Sequence, residues 1–145
     1  MGRARSLAEK EKTMITLISR WELLDGCPTH LKDELDSLAN KVKAMEPDTL
    51  MYLVHLQAPG PLDASNNPVE PPPPLIPLAG QNEVIFLEIY KDDVAFSRHV
   101  NGPVFQAFLK GYSQYFKPDP ERPGWPVTNN TVLSRVSGFI RTTAD

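Results

Sequence analysis

Apolar positions along this chain alternate between strand-like and helix-like spacing, and the changes of period mark its elements. From Thr13 to Trp21 the segment TMITLISRW is rich in β-branched and aromatic residues, which predicts a first strand. Asp25-Gly26 breaks it, and Pro28 suits the first turn of a helix. Leu31, Leu35, Leu38, Val42 and Met45 then recur at spacings of four, three, four and three. They form one face of an amphipathic helix, with Lys32, Asp33, Asp36, Lys41 and Lys43 left for water. Pro47 ends that helix, because the residue before a proline is pushed out of the α region. Leu50 to Gln57 and Glu83 to Tyr90 read as the next two strands. Asp92 or Asp93 caps a second helix that ends near Val100, where Asn101-Gly102 suits a left-handed exit. Pro103 opens a further helix whose apolar face is Val104, Phe105, Phe108, Tyr112, Tyr115 and Phe116. After the connector KPDPERPGWP, a last strand is expected within Val127 to Arg141. The order is β-α-β-β-α-β, an α+β plan.

Both alternating rows of the first and third strands are apolar. Ile15, Leu17, Ser19 and Trp21 oppose Met14, Thr16, Ile18 and Arg20, while Val84, Phe86, Glu88 and Tyr90 oppose Ile85, Leu87 and Ile89. A sheet built from such strands needs cover on both faces, and the helices suffice for one. A second copy of the sheet, brought in by a two-fold contact, is the natural cover, so a homodimer through sheet-to-sheet packing is expected.

Composition narrows the class. A chain of 145 residues fits one domain over residues 13–145, preceded by a charged, flexible arm at 1–12. Residues 58–80 differ in kind: eight prolines fall within these 23 residues, including Pro71 to Pro74, so a surface insertion between two strands is expected. The net charge of −3 carries no basic stripe, which argues against nucleic acid and membrane surfaces. Cys27 stands alone, excluding an intrachain disulfide and a cysteine-cluster metal site. No apolar run spans a bilayer and MGRARSLAEKEKT has no apolar core, so a cytoplasmic protein is expected.

Candidate chemistry centres on His99. It shares a helix face with Ala95 and Phe96, so its ring points inward, either as a proton acceptor or as a structural histidine near a helix C-terminus. Glu88, in an otherwise apolar row, needs a partner or a raised pKa; it either orients His99 or pairs with an arginine such as Arg20 or Arg141. Tyr52, Tyr90 and Trp21 can line a pocket for a flat aromatic ligand or pack the core. Phe105 is a further candidate wall, although its helical spacing with Phe108 equally suits the core. His30 and His55 lie too far apart in sequence from His99 to make a metal motif, so no metal is expected.

The first strand with Trp21, the turn AMEPDTLMY (Ala44 to Tyr52) and FLEIYKDDVAFSRHVNGPVFQAF (Phe86 to Phe108) together resemble the antibiotic biosynthesis monooxygenase (ABM) family. Asp48 departs from the glycine usual there, as does the long insertion. The resemblance implies a ferredoxin-like fold with a four-stranded antiparallel sheet, assembled into a dimeric α+β barrel. It further implies a cofactor-independent monooxygenase that uses dioxygen on a quinol or polyketide-like aromatic substrate, with His99 and Glu88 catalytic. Haem degradation, found in the same superfamily, is disfavoured, since Leu109 to Phe116 holds no histidine. Two alternatives remain: a non-catalytic small-molecule-binding or stress-response dimer of this fold, and a polyketide isomerase or cyclase.

Overall fold

The computed structural model describes residues 3, 4, 6 and 13–141. The expected arm over residues 1–12 therefore lies largely outside the described residues. Four strands, β1 (Ile15–Glu22), β2 (Thr49–His55), β3 (Glu83–Tyr90) and β4 (Thr128–Leu133), form one sheet in the order β2-β3-β1-β4. Every pairing is antiparallel. Helices α1 (Leu31–Met45), α2 (Asp93–Asn101) and α3 (Pro103–Tyr112) complete the α+β ferredoxin-like plan.

Register decides which residues share a face. Leu17 is paired with Glu88, Ser19 with Phe86 and Trp21 with Val84, while Tyr52 and Val54 stand opposite Glu88 and Phe86 on the other side. All these residues face the helices. There Trp21 packs against Phe86, Phe105, Phe108 and Phe116, with ring centroids 5.1 to 6.1 Å apart. Leu31, Leu35, Leu38 and Val42 close the same core from α1, as their helical spacing requires.

The opposite face carries Leu53, Leu87 and Ile18 side by side, with Met51, Ile89, Thr16 and Leu133 in the next row. Leu53 and Leu133 remain 45% and 41% exposed. The apolar second face inferred from strand alternation is thus present. Among the described residues no helix is long and apolar enough to cross a membrane.

The last strand falls within the expected span and ends at Leu133, which pairs with Thr16 near the start of β1. Beyond it Val136, Phe139 and Ile140 are exposed. Two local expectations are corrected. Pro28 does not enter the helix: its carbonyl accepts from the Leu31 amide in the preceding turn, and α1 starts at Leu31. Gly102 is not left-handed but extended (φ −80°, ψ 164°). Its requirement is steric, since a Cβ there would lie 2.5 Å from the Arg98 carbonyl oxygen as α3 turns off the end of α2.

The Pro-rich insertion is tied to the body at its C-terminal base. Leu78 is buried in the core, and the Gln81 side chain accepts from the Gln57 amide while donating to the carbonyls of Gln57 and Ile76. At its other end an Asp63 turn closes through the amides of Ser65 and Asn67. Pro71, Pro72 and Pro74 stay exposed.

Asp92 caps α2 by accepting from the Ala95 amide at 2.8 Å, which sets the helix phase that turns Ala95 and His99 inward. Urea titration should find Gly102→Ala destabilised by about 1–3 kcal/mol through overpacking. Asp92→Ala should cost about 1 kcal/mol through loss of the cap.

Candidate functional site

The site begins with a chain reversal. Glu46 follows the last turn of α1 with non-helical backbone (φ −124°, ψ 78°), and Pro47 prevents the helix from continuing. This turn aims the Glu46 carboxylate at α2, where His99 is 2% exposed. His99 Nδ1 lies 2.7 Å from Glu46 Oε1, and Thr49 Oγ1 donates to the same oxygen at 3.1 Å.

Three rings enclose the imidazole: Phe105 at 5.0 Å, Tyr52 at 5.3 Å and Tyr90 at 5.5 Å between centroids. Within this enclosure Nε2 is buried and has no hydrogen-bond partner. An ionised carboxylate only accepts, so the bond to Glu46 places the imidazole proton on Nδ1 and leaves a lone pair on Nε2. Burial lowers the His99 pKa below its ordinary 6.5, outweighing the opposing pull of Glu46. At neutral pH the contact is therefore a hydrogen bond from a neutral imidazole, poised to become an ion pair once Nε2 takes a proton.

Glu88 forms the second half of the site. It is 5% exposed and accepts from the Tyr90 hydroxyl at 3.1 Å. Burial pushes its pKa up to about 7, held back by the tyrosine bond and raised further by the nearby Glu46 charge. The Tyr52 and Tyr90 hydroxyls are both driven upward, chiefly by burial, and stay protonated.

The structure brings together His99, Tyr52, Tyr90 and Phe105, and joins Glu88 to them through Tyr90. The partner of His99 is Glu46, however, and not Glu88. Within one protomer Arg20 bonds Glu83 at 2.9 Å, and Arg141 lies over the Phe139 ring. Trp21 stands behind Phe105, 5.8 Å from its ring, with its indole N–H donated to Ser19 Oγ. Its polar handle is thus committed within the sheet. His30 and His55 are exposed and apart from the site. Among the described residues no group of three or more His, Cys, Asp or Glu could hold a metal ion.

Two openings flank the buried imidazole. Tyr52 lines a groove of about 360 Å³ with Leu35, Ala39, Val54 and His55. Glu46 lines a hollow of about 440 Å³ with Asp48, Thr49, Ala95, Arg98 and Gly102. His99 lines neither, but its ring meets Tyr52 of the groove and Glu46 of the hollow.

No family model matches the sequence, and no curated protein does. Solved structures do. One is a "putative antibiotic biosynthesis monooxygenase" from Caulobacter crescentus, with TM-score 0.58, 16% identity, and coverage of 88% of this chain and 94% of that one. Another, named likewise, comes from Bacteroides thetaiotaomicron, with TM-score 0.58, 15% identity, and coverage of 92% and 99%. A third is SnoaB from Streptomyces nogalater, named as a cofactor-independent oxygenase, with TM-score 0.52, 8% identity, and coverage of 89% and 99%. These likenesses establish the ABM-like ferredoxin fold.

The two buried titrating groups act on stability in opposite directions. The Glu88 pKa is raised from 4.5 to about 7, so its contribution is full below 4.5 and is lost as pH rises through 7. The His99 pKa is lowered, so stability is lost instead as pH falls below 6.5. Denaturation across pH should show Glu88→Gln abolishing the alkaline loss and gaining roughly 3 kcal/mol over the parent at pH 8. The acid-side loss should remain.

Proposed function

We propose that this protein is a cofactor-independent monooxygenase that oxidises a quinol or polyketide-like aromatic substrate with dioxygen, acting as a homodimer. One observation carries the reading. His99 Nε2 offers a lone pair with no internal partner, inside a dry aromatic enclosure, on an imidazole whose other nitrogen is held by a carboxylate. Structural histidines usually have both nitrogens satisfied, and a buried orphan needs a reason.

The chemistry follows from that arrangement. A phenolic O–H placed against Nε2 gives up its proton, and the imidazolium formed is stabilised by Glu46. The resulting electron-rich anion reduces dioxygen, so the substrate itself supplies the electrons. Tyr52, Tyr90 and Phe105 form walls suited to a flat ring, with Trp21 buttressing Phe105 from behind. Glu88, with its pKa raised to about 7, accepts from the Tyr90 hydroxyl and so holds that wall against the imidazole. Because Nε2 is sealed, substrate reaches it only when a ring turns aside, and half-buried Tyr52 at the edge of its groove is the natural one to move.

The homodimer reading rests on the uncovered rows around Leu53, Leu87 and Ile18, which water solvates poorly. A reducing cytoplasm is the setting assumed, with Cys27 unpaired. The acid–base set of His99 and Glu88 also suits an isomerase or cyclase, which would turn over without oxygen.

Oxygen uptake with a panel of quinols, naphthoquinols and anthrones is expected to saturate, and His99→Ala should lower kcat by about 10²- to 10⁴-fold. Turnover that persists anaerobically would favour the isomerase. Sedimentation should find the parent chain dimeric and Leu87→Lys monomeric, since the lysine would place a charge in the apolar contact.

A further inference from the structure

The sealed geometry raises a question about protons. Nε2 is buried without a hydrogen-bond partner, on an imidazole packed by the rings of Tyr52, Tyr90 and Phe105. On the other side of the same imidazole the surroundings change. Nδ1 bonds Glu46, whose side chain is 17% exposed against 2% for His99, and which lines the 440 Å³ hollow between the end of α1 and α2. We infer that Glu46 is the proton gate of the site, the group through which the buried His99 exchanges protons with solvent in that hollow.

The steps balance. When Nε2 takes a proton from the substrate hydroxyl, the imidazolium passes its Nδ1 proton to Glu46 Oε1, leaving a neutral imidazole protonated on Nε2. The Glu46 carboxylic acid then releases its proton to water in the hollow. In the second half of the cycle dioxygen bonds to the substrate carbon, and Nε2–H is given to the peroxide oxygen while a proton enters by the reverse path onto Nδ1. The O–O bond then breaks, one oxygen stays on that carbon, and the other leaves as water with the hydrogen lost from the same carbon. One proton leaves, one returns, and the starting tautomer is restored. Substrate deprotonation is thereby separated from oxygen protonation without opening the aromatic side to water.

Two features suit Glu46 to this task. Thr49 Oγ1 donates to the oxygen that His99 uses, fixing its direction while a proton moves along the other bond. At the mouth of the hollow Asp48 is held between Arg98 at 3.7 Å and Lys91 at 3.9 Å, so the two cations compensate its charge. The groups facing the dyad from within are Tyr52 on β2 and Glu88 with Tyr90 on β3. Glu88 is already committed to the Tyr90 hydroxyl, and neither borders the hollow.

The purpose of the gate rests on the oxygenase reading, but its operation needs only a proton donor at Nε2 and is measured with phenol, which dioxygen does not consume there. In ¹⁵N-histidine-labelled protein the His99 proton should sit on Nδ1, and on addition of phenol it should exchange with solvent. Glu46→Gln keeps an oxygen acceptor for Nδ1–H but cannot carry a proton, so exchange should slow by about tenfold or more. In Glu46→Ala, acetate, which is small enough for the hollow, should restore exchange in proportion to its concentration, an effect a purely structural role would not give. A proton found on Nε2, a parental exchange rate in folded Glu46→Gln, or no response to acetate in folded Glu46→Ala would each overturn the inference. If Glu46→Ala fails to fold, the Glu46→Gln rate decides alone. Normal gating in a protein that consumes no oxygen would instead sink the oxygenase reading and leave the gate standing.

Discussion

Burying an imidazole in an apolar enclosure is costly unless its polar atoms are answered, and residue 99 receives one answer where two are needed. Much of the local structure serves that half-satisfied state. The α1 terminus must stop at Met45 so that Glu46 can leave the helix, and Pro47 ensures that it does. Asp92 must set the phase of α2, and Gly102 must let α3 turn away tightly enough for Phe105 to lie against the ring. Three separate elements are thereby locked around a single nitrogen with no partner.

The aromatic core explains how that arrangement is held. Trp21 touches four phenylalanines, and one of them, Phe105, also touches His99. The site is in this sense an edge of the hydrophobic core rather than a cleft cut into it. Such an edge is rigid, because packed rings lose contact energy when displaced, and it is dry, which strengthens every electrostatic interaction within it. Dryness also accounts for the opposed behaviour of the two titrating groups. The same desolvation that depresses His99 raises Glu88, pushing each toward its neutral form.

The two faces of the sheet divide the labour. One carries Glu88, Tyr90 and Tyr52 into the helix layer; the other presents Leu53, Leu87 and Ile18 outward. Because side chains alternate along a strand, β3 serves both purposes, with Leu87 and Ile89 pointing away from the site that Glu88 and Tyr90 face. Packing on the outer face would therefore bear on the backbone that positions the buried carboxylate.

The element order, the amphipathic α1, the capped α2 and the two apolar sheet faces were legible in the sequence, because each depends on spacing within a few residues. So was the inward direction of His99, which follows from helical phase. The partner of His99 was not legible. Glu46 lies 53 residues away, in a Glu-Pro turn that carried the resemblance without showing what its carboxylate meets. Glu88, alone in an apolar row, drew the attention that a carboxylate in a turn did not. The conformation of Gly102 also escaped, since it depends on a contact with the Arg98 carbonyl. Periodicity by itself determined most of the buried faces, although Met45, at the end of the apolar stripe of α1, is exposed. Only the tertiary structure decided which of them meet, because hydrogen bonds between distant segments depend on register and helix placement that no short stretch of chain encodes.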